Sequence, residues 1–162
     1  MNLFTKYSIT LILLFHGLLF AHCQVPCGIY NDAARIIELQ EDYATIQKAM
    51  TKINELSLKQ DATSINQMTR WIMTKEEHAS NIQKIVSDYF LIQRIKIKTT
   101  PSEFHHYAKL TTSLHQIMVS AMKCKQTVET DHVTTGLERI DTFVNLYFDK
   151  HGIKHLKEMS GS

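Results

Sequence analysis

The sequence predicts an all-α protein, specifically an up-down-up-down four-helix bundle. Glycine (5) and proline (2) are scarce among the 162 residues, so there are few turn signals for a protein with many strands. Apolar residues also recur in steps of three and four along four successive stretches, which is the spacing of one helical face. With 44% hydrophobic residues, the chain is long enough for a single domain with one core.

The first 21 residues differ from the rest and are typical of a secretory leader. Lys6 is their only charge, and an apolar run over residues 9–21 follows it. This run of about 13 residues is shorter than the roughly 20 apolar residues of a membrane-spanning helix. Ala21 is a small residue that suits the position before a cleavage site. We therefore expect an exported protein without a stable membrane anchor, whose mature chain begins at His22.

The first two helices are predicted from Asn31 to about Leu56 and from about Ser64 to Lys96. The second carries one misfit, Lys75, on an otherwise apolar face. The apolar positions of the first helix follow a single stripe: Ile36, Leu39, Tyr43, Ile46, Met50, Ile53 and Leu56.

Two further helices complete the predicted bundle. The third begins with Pro101 in its first turn, and it carries Cys124, which we expect to be a buried core residue. The fourth runs from about Val133 to Lys150, and we expect Gly152 to stop it. Residues 158–162 are expected to form a frayed tail. Short connections make neighbouring helices antiparallel, and the bundle domain is expected to span residues 22–157.

The charges of the chain argue against a nucleic-acid partner. The formal net charge of +2 comes from 18 basic and 16 acidic residues. They are interspersed along the chain and form no basic patch of the kind that contacts phosphates. We therefore predict no nucleic-acid partner.

Metal-ligand types are crowded at residues 22–30, the start of the expected mature chain. After cleavage, the α-amine and imidazole of His22 lie close in sequence to the thiols of Cys23 and Cys27. Nickel(II) favours a square-planar field of nitrogen and sulfur donors, which the amine, the amide nitrogen of Cys23 and both thiolates can supply. The imidazole can add an axial nitrogen. Pro26 and Gly28 suit a tight loop that curls around one ion. This pattern predicts a nickel-binding hook.

The hook has the pattern H-C-x-x-P-C-G-x-Y and resembles the nickel-dependent superoxide dismutase family. Three later segments are also similar to that family: Thr69-Arg70-Trp71, Lys75-Glu76-Glu77-His78-Ala79 and Ser87-Asp88-Tyr89-Phe90. The resemblance covers residues 22 to about 150. It implies an enzyme that converts superoxide into dioxygen and hydrogen peroxide while nickel cycles between its +2 and +3 states. It also implies a homohexamer.

The resemblance further implies roles for individual residues. Tyr30 matches the hook tyrosine near the open axial face of the metal, and Tyr89 matches a second tyrosine of the same pocket. Glu38 falls where the family has a carboxylate that contacts the ring of the first residue. His78 replaces an arginine found in some members, so a titratable ring stands in place of a permanent cation. Gln24 stands where many members have an aspartate.

Several alternatives remain open from the residues alone. Cys23 and Cys27 could form a disulfide, as exported proteins often do, or contribute to a zinc site, although the hook lacks a local fourth side chain. A membrane anchor and a lipoprotein cut before Cys23 are further alternatives, but the lipoprotein site requires a small residue where His22 stands. The tyrosines could be ordinary packing residues. The second functional hypothesis is therefore a non-catalytic exported helical module that binds a metal or is tied by a disulfide.

Overall fold

The computed structural model describes residues 31–161, and these residues are helical with no strand. The described part consists of α1 (Asp32–Ser57), α2 (Ala62–Lys84), a π segment (Ile85–Arg94), α3 (Pro101–Gln126), α4 (Asp131–Tyr147) and α5 (Lys150–Ser160). α1 packs against α2 and α4, α3 packs against the same two helices, and α5 lies on α1. The predicted all-α bundle is confirmed. Within residues 31–161, no helix is both long and apolar enough to cross a membrane.

Local side-chain caps explain where several helices begin. Asn31 accepts a hydrogen bond from the backbone N–H of Ala34 at 3.0 Å, which satisfies one of the free donors at the start of α1. Asp61 caps α2 in the same way, accepting from Ser64 at 2.9 Å. α3 begins at Pro101, as predicted.

The core lies between the four long helices and includes one close contact that requires glycine. Tyr43 is fully buried, and its hydroxyl donates to the carbonyl of Ile117 at 3.0 Å. A Cβ added at Gly136 would lie 2.2 Å from Cζ of Tyr43, so α4 can approach the tyrosine ring only without a side chain there. Cys124 is a free, fully buried thiol, as predicted, and burial raises its pKa to about 11.

Two helix boundaries differ from the prediction. The predicted second helix is not an α-helix up to Lys96. The α-helix ends at Lys84, and the π segment that follows it ends at Arg94. The prediction that Gly152 stops the fourth helix was wrong. α4 ends at Tyr147, and the N–H of Gly152 donates to Asp149 at 2.8 Å within the first turn of α5. The cap at Asp149 starts a new helix, which includes residues 158–160 of the expected frayed tail.

Lys75, the misfit on the apolar face of α2, has a specific role in packing. Its side chain is only 4% exposed, and its Nζ donates to the carbonyls of Cys124 at 2.8 Å, Lys125 at 2.6 Å and Thr127 at 3.3 Å. Carbonyls at the end of a helix lack partners within that helix and carry partial negative charge. The ammonium group of Lys75 therefore caps the C-terminal end of α3.

Candidate metal centre

The described residues contain three of the predicted site residues, and the others lie outside them. His22, Cys23, Pro26, Cys27, Gly28 and Tyr30 all precede residue 31, where the described part of the chain begins. Glu38, His78 and Tyr89 lie on α1, α2 and the π segment, respectively.

Glu38 and His78 belong to one hydrogen-bonded network between α1 and α2. Nδ1 of His78 lies 2.6 Å from Oδ1 of Asp42, and Nδ2 of Asn81 donates to Oδ2 of the same aspartate at 2.9 Å. The Asn81 amide also donates to Oε1 of Glu38 at 3.3 Å. The structure thus brings the two predicted residues together through Asp42 and Asn81, which were not predicted as site residues.

The electrostatics of this network centre on Asp42. Burial raises the pKa of its carboxyl group, the nearby charge of Glu38 adds to that rise, and the hydrogen bonds from His78 and Asn81 oppose it. The side chain of His78 is 34% exposed and lines a surface pocket of ≈ 460 Å³ together with Glu77 and Lys84. The imidazole therefore connects a buried carboxylate to the protein surface.

Tyr89 belongs to a second cluster, which we call the Asp32 clasp and which consists of Asp32, Tyr89, Arg94 and Tyr147. The Asp32 carboxylate accepts from the hydroxyl of Tyr89 at 2.5 Å and from that of Tyr147 at 2.7 Å. It also accepts from Nε and Nη2 of Arg94 at 2.8 and 2.7 Å, which is a bidentate ion pair. The clasp ties the first residue of α1 to the π segment and α4.

The hydrogen bonds of the clasp set the protonation of its members. Burial acts to raise the pKa of Asp32, but the hydrogen bonds from Arg94, Tyr89 and Tyr147 together lower it below its ordinary value of 3.8. Burial and the bond to Asp32 raise the pKa of Tyr147 to about 12, and they raise that of Tyr89 as well. At neutral pH, Asp32 is therefore an anion held by two neutral phenols and a guanidinium.

Arg35 connects the two clusters. Its guanidinium pairs with Oε2 of Glu38, and its Cζ lies 5.6 Å from the centre of the Tyr89 ring, within the range of a cation–π contact. Asp32, Arg35, Glu38 and Asp42 are spaced by three, three and four residues, so they form one polar stripe along α1. That spacing was a signal in the sequence. By contrast, nothing in the sequence marked Asn81, Arg94 or Tyr147 as partners of the stripe.

The network is made of fixed charges and oriented hydrogen-bonding groups. Within residues 31–161, no group of three or more His, Cys, Asp and Glu side chains is placed to hold a metal ion. The described side chains can orient a neighbouring group through hydrogen bonds, as outer residues do around metal ligands.

Comparisons with known proteins identify the family. The family model for nickel-containing superoxide dismutase matches residues 19–151, which include the segment 22–30 and the helices α1 to α4. Comparisons with curated proteins and with solved structures found no match. The chain therefore belongs to the nickel-containing superoxide dismutase family, and it is a nickel-dependent oxidoreductase that converts superoxide into dioxygen and hydrogen peroxide.

Proposed function

We propose that the mature enzyme begins at His22 and binds nickel through His22, Cys23 and Cys27. The observation that carries this proposal is the family match, because it includes the whole segment H-C-x-x-P-C-G-x-Y. The donor set fits the metal. It consists of two nitrogen donors, an amine and an amide, and two sulfur donors, the thiolates, and this combination suits square-planar nickel(II).

The hook residues bind nickel and determine its electronic properties. When bound, nickel supplies a one-electron couple that can alternately oxidise and reduce superoxide. The thiolates of Cys23 and Cys27 would hold the ion and favour its higher oxidation state by strong electron donation, and the imidazole of His22 would supply a further nitrogen donor to that state. This role of His22 requires a free amine, so residues 1–21 must be removed first.

The network on α1 and α2 is proposed to orient the His22 imidazole. In this proposal the carboxylate of Glu38 contacts the ring, and His78 supports the same network. Both oxygens of Glu38 are held, one by Arg35 and the other by Asn81, while 35% of the side chain remains exposed. A carboxylate held in this way can accept a further donor without large loss of side-chain entropy. Tyr30 and Tyr89 are proposed to limit access to the metal to small anions.

We also propose that the protein is exported and assembles as a homohexamer. The leader-like residues 1–21 support export. Assembly is supported by exposed apolar side chains on α2: Ile65, Ile72 and Met73 are 48%, 39% and 65% exposed. Ile65 and Ile72 lie seven residues apart, on the same face of the helix. Native mass spectrometry of the purified protein tests the hexamer, and a predominantly monomeric enzyme would contradict it.

The ligand proposal is tested with two matched cysteine variants. The full chain is expressed with its leader, and the processed protein is analysed for N-terminal mass, nickel content and superoxide disproportionation. Cys27→Ser should lose both nickel and activity, whereas Cys124→Ala, which removes a thiol in the core, should keep both. A Cys27→Ser protein that retains nickel and activity, or an active protein with a start other than His22, would refute the proposed ligand set.

A further inference from the structure

The Asp32 clasp lies at the start of the described bundle, and its first residue follows the hook closely in the sequence. Asp32 is the first residue of α1, two residues after Tyr30 and five after Cys27. First turns of helices tend to fray, because their N–H groups lack partners within the helix. Here, the first side chain of α1 accepts four hydrogen bonds from three side chains of other elements.

The π geometry explains how two of these donors reach one carboxylate. Tyr89 and Arg94 are five residues apart, and in an α-helix such residues point in directions about 140° apart. In a π-helix, the backbone bonds residues i and i+5, so residues at this spacing lie about one turn apart and much closer to the same side of the helix. The N–H of Ile95 donates to the carbonyl of Phe90 at 2.9 Å, which is a bond of this type. The change from α to π geometry thus places the phenol and guanidinium on the same side, facing Asp32.

Asp32 does not serve as the cap of its own helix. That role belongs to Asn31, whose side chain accepts from the N–H of Ala34. The helix can therefore start without the carboxylate of Asp32, and this carboxylate joins α1 to the π segment and α4 instead. These hydrogen bonds link the first turn of α1 to two other elements of the bundle.

We propose that Asp32 and Arg94 are positioning residues for the nickel hook. In this proposal, the clasp anchors the first turn of α1, which directly follows the hook in the sequence, and this anchoring slows the release of nickel. The proposal rests on the ligand set proposed above. It adds a positioning role for Asp32, Arg94 and Tyr147 that acts through the backbone of α1.

The test compares variants of the full chain, expressed with its leader and isolated with nickel. Asp32→Asn and Arg94→Gln weaken the clasp, and Tyr147→Phe removes one hydrogen bond with a smaller expected effect. Asp131→Asn is the matched control, because Asp131 is the first residue of α4 and is exposed. Hydrogen exchange of the amides of residues 35–38 reports on the first turn of α1. The rate at which a chelator removes nickel reports on the hook.

We expect about tenfold faster exchange in the first turn for Asp32→Asn and Arg94→Gln, together with about tenfold faster nickel release. Tyr147→Phe should shift both rates in the same direction, and Asp131→Asn should shift neither. Unchanged exchange would refute the clasp. Faster exchange with the wild-type rate of nickel release would refute the positioning role. Cys27→Ser, measured in parallel, separates the two proposals: if it retains nickel, the ligand set is wrong, and the exchange rates still decide whether the clasp holds α1.

Discussion

Replacement of Lys75 by methionine should destabilise the bundle substantially, because three carbonyls at the end of α3 lose their common donor. An unsatisfied buried carbonyl costs about 1–3 kcal/mol. The bond to Cys124 is buried, whereas those to Lys125 and Thr127 are partly buried, so water can replace part of what they lose. One full and two partial losses amount to about 2–4 kcal/mol in the free energy of unfolding. Methionine keeps the apolar stem, so little of this loss should come from a cavity.

The assay is urea unfolding monitored by circular dichroism. All variants are measured at one fixed protein concentration, because association makes apparent stability depend on concentration. Lys84→Met is the matched control on the same helix. Lys84 is 67% exposed and pairs with Asp88 at 2.5 Å, so its removal should cost at most about 0.5 kcal/mol. A Lys75→Met protein as stable as the control variant would refute the capping role of Lys75 at the end of α3.

Three further predictions concern the core, the clasp and the hook. Gly136→Ala should lower the free energy of unfolding by about 1–3 kcal/mol in the same urea assay, because the new Cβ would meet Tyr43 at 2.2 Å; unchanged stability would contradict the close approach. The lowered pKa of Asp32 contributes stability above pH 3.8 that is lost as pH falls through the folded pKa, so the stability gap between wild type and Asp32→Asn should close below pH 3.8. A gap that stays constant from pH 6 to pH 3 would argue against this linkage. Finally, one extra residue before His22 displaces the amine donor and should abolish nickel-dependent activity in a superoxide assay, and an active extended protein would exclude the amine as a ligand.

The helical periodicity of the sequence was a reliable guide to the bundle, but less so to the ends of its elements. The apolar stripe of α1 predicted the buried face, including Tyr43, because side chains three and four residues apart share one side of a helix. A different signal, a glycine near a helix end, predicted a stop at Gly152, and that prediction was wrong. The side-chain cap at Asp149 outweighed it and began α5.

The candidate site was also predicted only in part. The resemblance pointed to Glu38, His78 and Tyr89, and the structure joins their surroundings through Arg35 and Asp42. Whether these side chains serve the metal centre remains a prediction. Lys75 was recognised as a misfit on an apolar face, but its acceptors could not be named, because they are backbone carbonyls of another helix.

The sequence by itself determined the helical class and most of the helix positions, and it predicts a nickel-binding hook at residues 22–30, which lie outside the described residues. Each depends on residues close together in the chain, where spacing and side-chain chemistry are sufficient. Only the tertiary structure decided that Asp32 meets Tyr89, Arg94 and Tyr147, which lie 57, 62 and 115 residues away. Such contacts depend on how the helices pack and on the turn geometry of the π segment, and hydrogen bonds form only when those arrangements bring donor and acceptor within about 3 Å.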